Sequence, residues 1–252
     1  MLELAHRVPL SRLMAAAPAE ISDNECLARY QALLLGVAGL LPSPQAEWCE
    51  TLGDGGIWLR RLGQVWESLE DKRTMFPSDW HFFKVRPVNS PRRRLAAMSC
   101  LLCCFRGEGL LPVLIHEIKS AATRRDYRAF KECLLVGADG FWAENLDFGS
   151  PSRGVAPALL GESRAGVIVI NVLLPFASAW GQVTSRPGLT EKASDIYHRY
   201  PVLAENTLEK HMSRQLGINR VLVNSARRQQ GLLHLYKTFC SQGNCRQCPL
   251  SG

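Results

Sequence analysis

Val167-Ile168-Val169-Ile170-Asn171-Val172-Leu173-Leu174-Pro175-Phe176-Ala177-Ser178-Ala179 is the stretch that decides the fold class. Its first four residues are β-branched and suit a buried strand. They run on into Asn171–Ala179 without a turn, and a strand of that length is out of proportion. The spacing therefore predicts a buried helix over 164–180, and no other segment offers a better strand.

The rest of the chain reads as helix to either side of this run. A helix over 25–41 is predicted, capped by Asp23 or Asn24 and ended by Pro42 and Pro44. Behind Gly55-Gly56, the residues Trp58, Leu62, Val65, Trp66 and Leu69 fall at helical spacing. Pro91 suits the first turn of a helix through Leu95, Met98, Leu101 and Leu102. Further helices are expected over 110–120, 124–135, 190–199, 206–216 and 221–239. Gly, Pro and Ser crowd 147–157, which reads as an internal loop that need not divide two domains. The expected fold is mainly α: an irregular multi-helix bundle in one domain over 1–252, with a Cys-rich tail at 240–252.

Length and composition agree with that class. At 252 residues, 46% hydrophobic and 21% charged, the chain resembles an average globular protein and excludes disorder, collagen and a long coiled coil. Neither apolar run predicts a bilayer span: Leu33 to Leu41 is short, and the second carries Asn171 and Pro175. Arg7 and Arg12 precede only a short Ala-rich run, so no secretory signal is predicted. Nine cysteines, an odd number, suit reduced thiols better than a disulfide framework. A cytoplasmic protein without membrane contact is expected.

Charge is arranged in blocks. Residues 1–80 carry −4, 81–131 carry +8, 132–209 carry −4 and 210–252 carry +7, the last with no acidic residue. Two basic blocks suit a polyanion such as nucleic acid, because cations that neutralise phosphates release counterions. Two solvated helix faces would give the same pattern.

Three groups of residues are candidates for chemistry. In Cys240-Ser-Gln-Gly-Asn-Cys245-Arg-Gln-Cys248-Pro249 the C-x2-C pair suits one tetrahedral metal, and Cys240 supplies a third thiolate. Zinc is the first expectation and an iron–sulfur cluster the second; a fourth ligand must come from Cys100, Cys103, Cys104, Cys133, His211 or His234. A partial site or a redox thiol pair remains an alternative. In the second group, Arg86, Asn89, Arg92, Arg93 and Arg94 surround a helix start, where arginine opposes the helix dipole unless an anion lies nearby. Phosphate contact is the functional reading; internal ion pairs from Arg86 and Arg94, with Arg92 and Arg93 solvated, are the alternative. The third group comprises amides and an acid within apolar helices: Asn171, Glu205, Asn206 and the Gln229-Gln230 pair, from which Asn171, Glu205, Asn206 and Gln230 are expected to form a polar network.

Glu117-Ile118-Lys119, with Asp79 upstream, matches the residue types of a metal-dependent nuclease core. That core needs a strand, and Leu111, Leu114, Ile115 and Ile118 give this segment a helical period instead. No Gly-rich phosphate loop, G-x-S-x-G or H-E-x-x-H occurs.

Leu34-Leu35-Gly36-Val37-Ala38-Gly39-Leu40-Leu41 and Arg86-Pro87-Val88-Asn89-Ser90-Pro91 carry a family resemblance, continued by Ile170-Asn171-Val172, Glu205-Asn206-Thr207, Gln230-Gly231-Leu232-Leu233 and the terminal cysteines. In these the chain resembles the C-terminal part of a bacterial family, domain of unknown function 2851. The resemblance supplies no activity. It implies that longer members carry an N-terminal nuclease-like region, which this sequence lacks. The expected function is thus a non-catalytic module that binds nucleic acid or supports a nuclease-like partner domain. A protein-interaction scaffold is the alternative, and so is an enzyme pocket around Arg86, Asn89, Asn171, Glu205 and Gln230.

Overall fold

The computed structural model describes residues 2–43, 54–121, 127–154 and 156–250. The architecture is mainly α, and among the described residues the only sheet is one two-stranded antiparallel ladder. The chain divides into two compact units, 1–112 with 134–161 and 113–133 with 162–252.

Unit 1 begins with two short helices, α1 (Leu2–Arg7) and α2 (Leu10–Ala16), followed by α3 (Asp23–Val37), α4 (Asp54–Ser68) and α5 (Pro91–Cys104). Ser22 rather than Asp23 or Asn24 caps α3, its Oγ accepting the Glu25 N–H at 3.3 Å. The helix stops at Val37, ahead of the expected prolines, because Gly39 takes φ +66°, a conformation that ends helices readily only at glycine. Leu33, Leu35 and Val37 of α3 form the core with Leu62 of α4 and Leu95 of α5. Truncating Leu35 to Ala would cost about 2–5 kcal/mol. Gly36 lets α4 approach closely: a Cβ there would lie 2.2 Å from the Trp66 ring.

Pro91 starts α5 as expected, with Ser90 as cap. The 134–161 segment then returns to unit 1 through α8 (Phe141–Glu144), β1 (Asn145–Asp147) and β2 (Ser150–Pro151). The predicted loop at 147–157 thus opens with a tight hairpin, turning at Gly149.

Helix α6 (Leu110–Ser120) carries the division between the units. It holds Glu117 and Lys119 on a helix, with Leu114, Ile115 and Ile118 buried, so the nuclease-core reading lacks its strand. Of the helix expected over 124–135, α7 (Tyr127–Glu132) is observed, and 122–126 lie outside the described residues.

Unit 2 is built on the deciding stretch. It is helical: α9 (Glu162–Ile168), a π-turn over Val169–Leu173, and α10 (Leu174–Val183). Pro175 sits at the start of α10 and would clash with an α-helical carbonyl four residues back; the wider turn relieves it. Glu162–Val183 is long and apolar enough to cross a bilayer by length and composition, and 39% of its most apolar window is buried within the protein. The buried face carries Val169, Ile170, Leu173, Leu174 and Ala177. The expectation of a wholly buried helix is corrected on the other face, where Val167, Val172, Phe176, Trp180 and Val183 are exposed. Helix α11 (Pro187–Arg199) packs on α10, and α12 (Thr207–Gln215) pairs with α13 (Ala226–Thr238).

Candidate functional site

The arginine corner is built by a 3-10 turn, Pro87–Asn89, and by Ser90, whose Oγ accepts the Arg92 N–H at 3.2 Å. This geometry separates the arginines. Arg86 and Arg94 are exposed, and Asn89 is half-buried. Arg92 donates from Nε to the Leu40 carbonyl at 3.3 Å and from Nη1 to Asp147 at 3.3 Å, and it lies over the Phe82 and Phe148 rings.

Arg93 is 1% exposed. Its Nη1 donates to the Asn145 carbonyl at 2.6 Å and the Trp142 carbonyl at 3.4 Å, and its Nη2 donates to the Pro157 carbonyl. The guanidinium also lies over the Trp142 ring, 5.7 Å from its centroid. Burial pulls its pKa down, while the Asp147 charge opposes that shift. These contacts fasten the 142–157 segment to α5, because carbonyls out of water need donors. The reading of Arg92 and Arg93 as phosphate contacts is therefore corrected: both guanidinia are engaged within the protein. The alternative fails as well, since it placed these two in solvent.

The C-terminal cysteines follow α13 in two 3-10 turns, Cys240–Gln242 and Cys245–Gln247, joined at Gly243 with φ +67°. Cys240 packs against the apolar cluster of Met212, Val223 and Leu232, and Cys245 is exposed. Among the described residues no group of three or more His, Cys, Asp or Glu side chains is placed to hold a metal ion. No such group is formed by Cys240, Cys245 and Cys248. Of the proposed fourth ligands, the two histidines lie in unit 2. His211 sits edge-on to Tyr236, and the ring of His234 lies 3.4 Å from the Thr238 hydroxyl. Cys100 and Cys103 belong to unit 1, where burial pushes their thiols up to about 11 and about 12.

A polar network exists in unit 2, centred on Gln229 and Glu209 and reached by Asn206. Gln229, 2% exposed, donates from Nε2 to the Glu209 carboxylate at 2.8 Å and to the Leu203 carbonyl at 3.0 Å. Its Oε1 accepts the Leu203 N–H at 2.7 Å, so every polar atom of the amide is used. Asn206 caps α12, accepting the Glu209 N–H at 2.8 Å, and Glu205 pairs with Lys210 at 3.2 Å. Gln230 is half-buried on the neighbouring face. Asn171 is exposed and bonds only to the Val167 carbonyl of its own helix turn, at 3.0 Å. Gln229 shares the face of Ala226 and Leu232, and that spacing of three was the signal separating it from Gln230.

The postulated enzyme pocket draws Arg86 and Asn89 from unit 1 but Asn171, Glu205 and Gln230 from unit 2. Unit 1 contains a different cleft, about 480 Å³, that motif reasoning did not find. Gln31 of α3, Trp58 and Arg61 of α4, and Phe141 and Trp142 of α8 line it. Gln31 stands in the apolar second half of α3, between Tyr30 and Ala32, where a lone amide was the available clue.

Comparison with known proteins places the chain. The family profile described as protein of unknown function (DUF2851) matches residues 1–206. No curated protein and no solved structure matches. The match ends before α12, so Gln230–Leu233 and the terminal cysteines, which also carried the resemblance, lie outside it. With most of its length matched, the chain belongs to the DUF2851 family.

Proposed function

We propose that the protein is a helical module that binds nucleic acid through the basic surface of α12, α13 and the residues that follow. The observation that carries this is the charge of 210–252: seven Lys and Arg with no acidic residue. Lys210, Arg214, Arg227, Arg228, Lys237 and Arg246 are all exposed. Two have local partners, Lys210 through Glu205 and Arg228 through the Leu222 carbonyl and Asn224. Such a surface attracts any polyanion, and contact with phosphates would displace condensed counterions. Arg86 and Arg94 add exposed cations in unit 1, while Arg92 and Arg93 serve the fold. Binding of this kind would support a nuclease-like partner region, as the family resemblance implies.

Fluorescence anisotropy with labelled single- and double-stranded DNA and RNA oligonucleotides tests the proposal. Affinity should fall steeply between 50 and 200 mM salt, with a log–log slope of about −0.7 to −0.9 per phosphate contact. Undetectable or salt-insensitive binding to every oligonucleotide overturns it. A protein-interaction scaffold is favoured instead by the exposed apolar face of α10, where Phe176 and Trp180 stack at 6.0 Å. Co-purification of one stoichiometric protein, with no nucleic-acid affinity, is its signature.

A further inference from the structure

The loop that leads into α5 carries Trp80-His81-Phe82-Phe83-Lys84-Val85-Arg86, all in unit 1. The Val85 N–H donates to the Phe82 carbonyl at 3.1 Å, closing a turn whose two corner residues are Phe83 and Lys84. Corners of this kind ordinarily take glycine or small polar residues. Here Phe83 is 72% exposed, and Lys84 holds φ +57°, the left-handed conformation that costs least at glycine. A phenyl ring in water and a strained lysine backbone at one turn both work against stability, so stability does not account for them.

The surroundings hold the turn in place and keep it positive. The Trp80 indole N–H donates to the Ala38 carbonyl at 2.8 Å, and the Arg92 guanidinium lies 5.7 Å from the Phe82 ring centroid. Trp80 is thereby tied to the end of α3 and Phe82 to α5. The Lys84 ammonium lies over the Phe83 ring, 5.1 Å from its centroid. Arg86 is exposed two residues further on, and no acidic residue occurs between 80 and 107. Of the acids nearby, Asp79 accepts the Phe76 N–H at 2.9 Å and Asp147 pairs with Arg92.

We infer that this turn is a stacking platform for single-stranded nucleic acid, with an unpaired base on the Phe83 ring and adjoining phosphates at Lys84 and Arg86. Aromatic rings set beside cations hold unpaired strands without reading their sequence, whereas duplex bases are already stacked on one another and have no face to offer. A lipid surface fits less well, because insertion scales with apolar area and the corner presents a single ring with an ammonium over it. For the kind of partner the inference rests on the nucleic-acid reading above; it adds the strand state and a contact in unit 1.

The test is fluorescence anisotropy of the full chain with a labelled oligothymidylate of about 12 nucleotides and a duplex of the same length. The oligothymidylate should bind more tightly, although the duplex has the higher charge density. Phe83→Leu keeps an apolar side chain but no aromatic face, and should weaken oligothymidylate binding at least about fivefold while leaving the duplex within about twofold. Phe83→Trp should retain the affinity. Lys84→Gly relieves the backbone and removes the ammonium, so single-strand affinity should fall while the melting temperature does not. Equal oligothymidylate affinity of Phe83→Leu and the unaltered chain overturns the inference; salt-sensitive binding by both would leave the α12 and α13 surface standing without it. A Phe83-dependent affinity that survives Arg214→Glu, Arg227→Glu and Lys237→Glu together upholds the platform and removes that surface. No binding to either oligonucleotide overturns both. Anionic phosphatidylglycerol vesicles bound equally by Phe83→Leu and the unaltered chain, with no preference for the single strand, would assign the turn to a lipid surface and overturn the inference. The comparison of the two probes on the unaltered chain, with Phe83→Trp beside it, decides the matter even if another variant fails to fold.

Discussion

Two clusters of cations lie in this chain, and they are placed in opposite ways. Arg92 and Arg93 stand at a helix start in the most basic quarter of the sequence, and both turn inward. The five cations of α12 and α13 are spread over two helices, and all of them face solvent. Density of arginine in sequence is therefore a poor guide to a polyanion surface. What matters is how many carbonyls lie within reach: at the corner the 142–157 segment presents three to Arg93, whereas Arg228 on α13 meets one, that of Leu222.

The sharpest way to break this contrast is Arg93→Met. It keeps an apolar stem but removes the donors from three carbonyls, those of Trp142 and Asn145 on buried residues, and should cost about 3 kcal/mol in chemical denaturation. Arg93→Lys should recover little, because an ammonium cannot reproduce the planar fork. A loss below about 1 kcal/mol would mean that Arg93 is not the fastening of α5 to this segment.

Inside unit 2, Gln229→Leu should cost about 2 kcal/mol, since it strands Glu209 and both polar groups of Leu203. Nearby, burial raises the Tyr200 hydroxyl from its usual 10 to about 12. The folded state then keeps a proton that the unfolded state releases. Tyr200 thus contributes full stability below pH 10, and on the order of 2 kcal/mol is lost as pH rises toward 12. Tyr200→Phe should flatten the alkaline limb of the stability–pH curve; an unchanged limb contradicts this.

Smaller still is Arg92→Ala, which removes a half-buried ion pair and ring contacts and should cost about 1 kcal/mol. Replacing Arg214, Arg227 and Lys237 together by Ala should move stability by less than about 0.5 kcal/mol per site, while weakening nucleic-acid binding. The two clusters would then separate cleanly, one read in stability and the other in affinity.

Much of the helical framework was legible because it follows from local pattern. The run from Val167 declared a helix by its length, Pro91 marked the start of α5, and Trp58, Leu62 and Val65 marked the inner face of α4. The π-turn was not legible, because it depends on how the helix accommodates Pro175 rather than on periodicity. The fate of Arg93 was hidden for a similar reason: its acceptors lie 49 to 64 residues away, and only tertiary structure brings them together. Sequence spacing put three cysteines close along the chain, but whether donors meet in space is a tertiary matter, and among the described residues no group of three does. Gln31 escaped notice because a buried amide in a helix core matches no motif.

The most direct measurement is salt-dependent anisotropy of the full chain beside a variant carrying Arg214→Glu, Arg227→Glu and Lys237→Glu, with both melting curves recorded. Binding by the unaltered chain that weakens with salt, lost by more than tenfold in the variant at an unchanged melting temperature, is the expected result. Equal affinity of the two proteins, or no salt-sensitive binding by either, would contradict the assignment of α12 and α13 as the nucleic-acid surface.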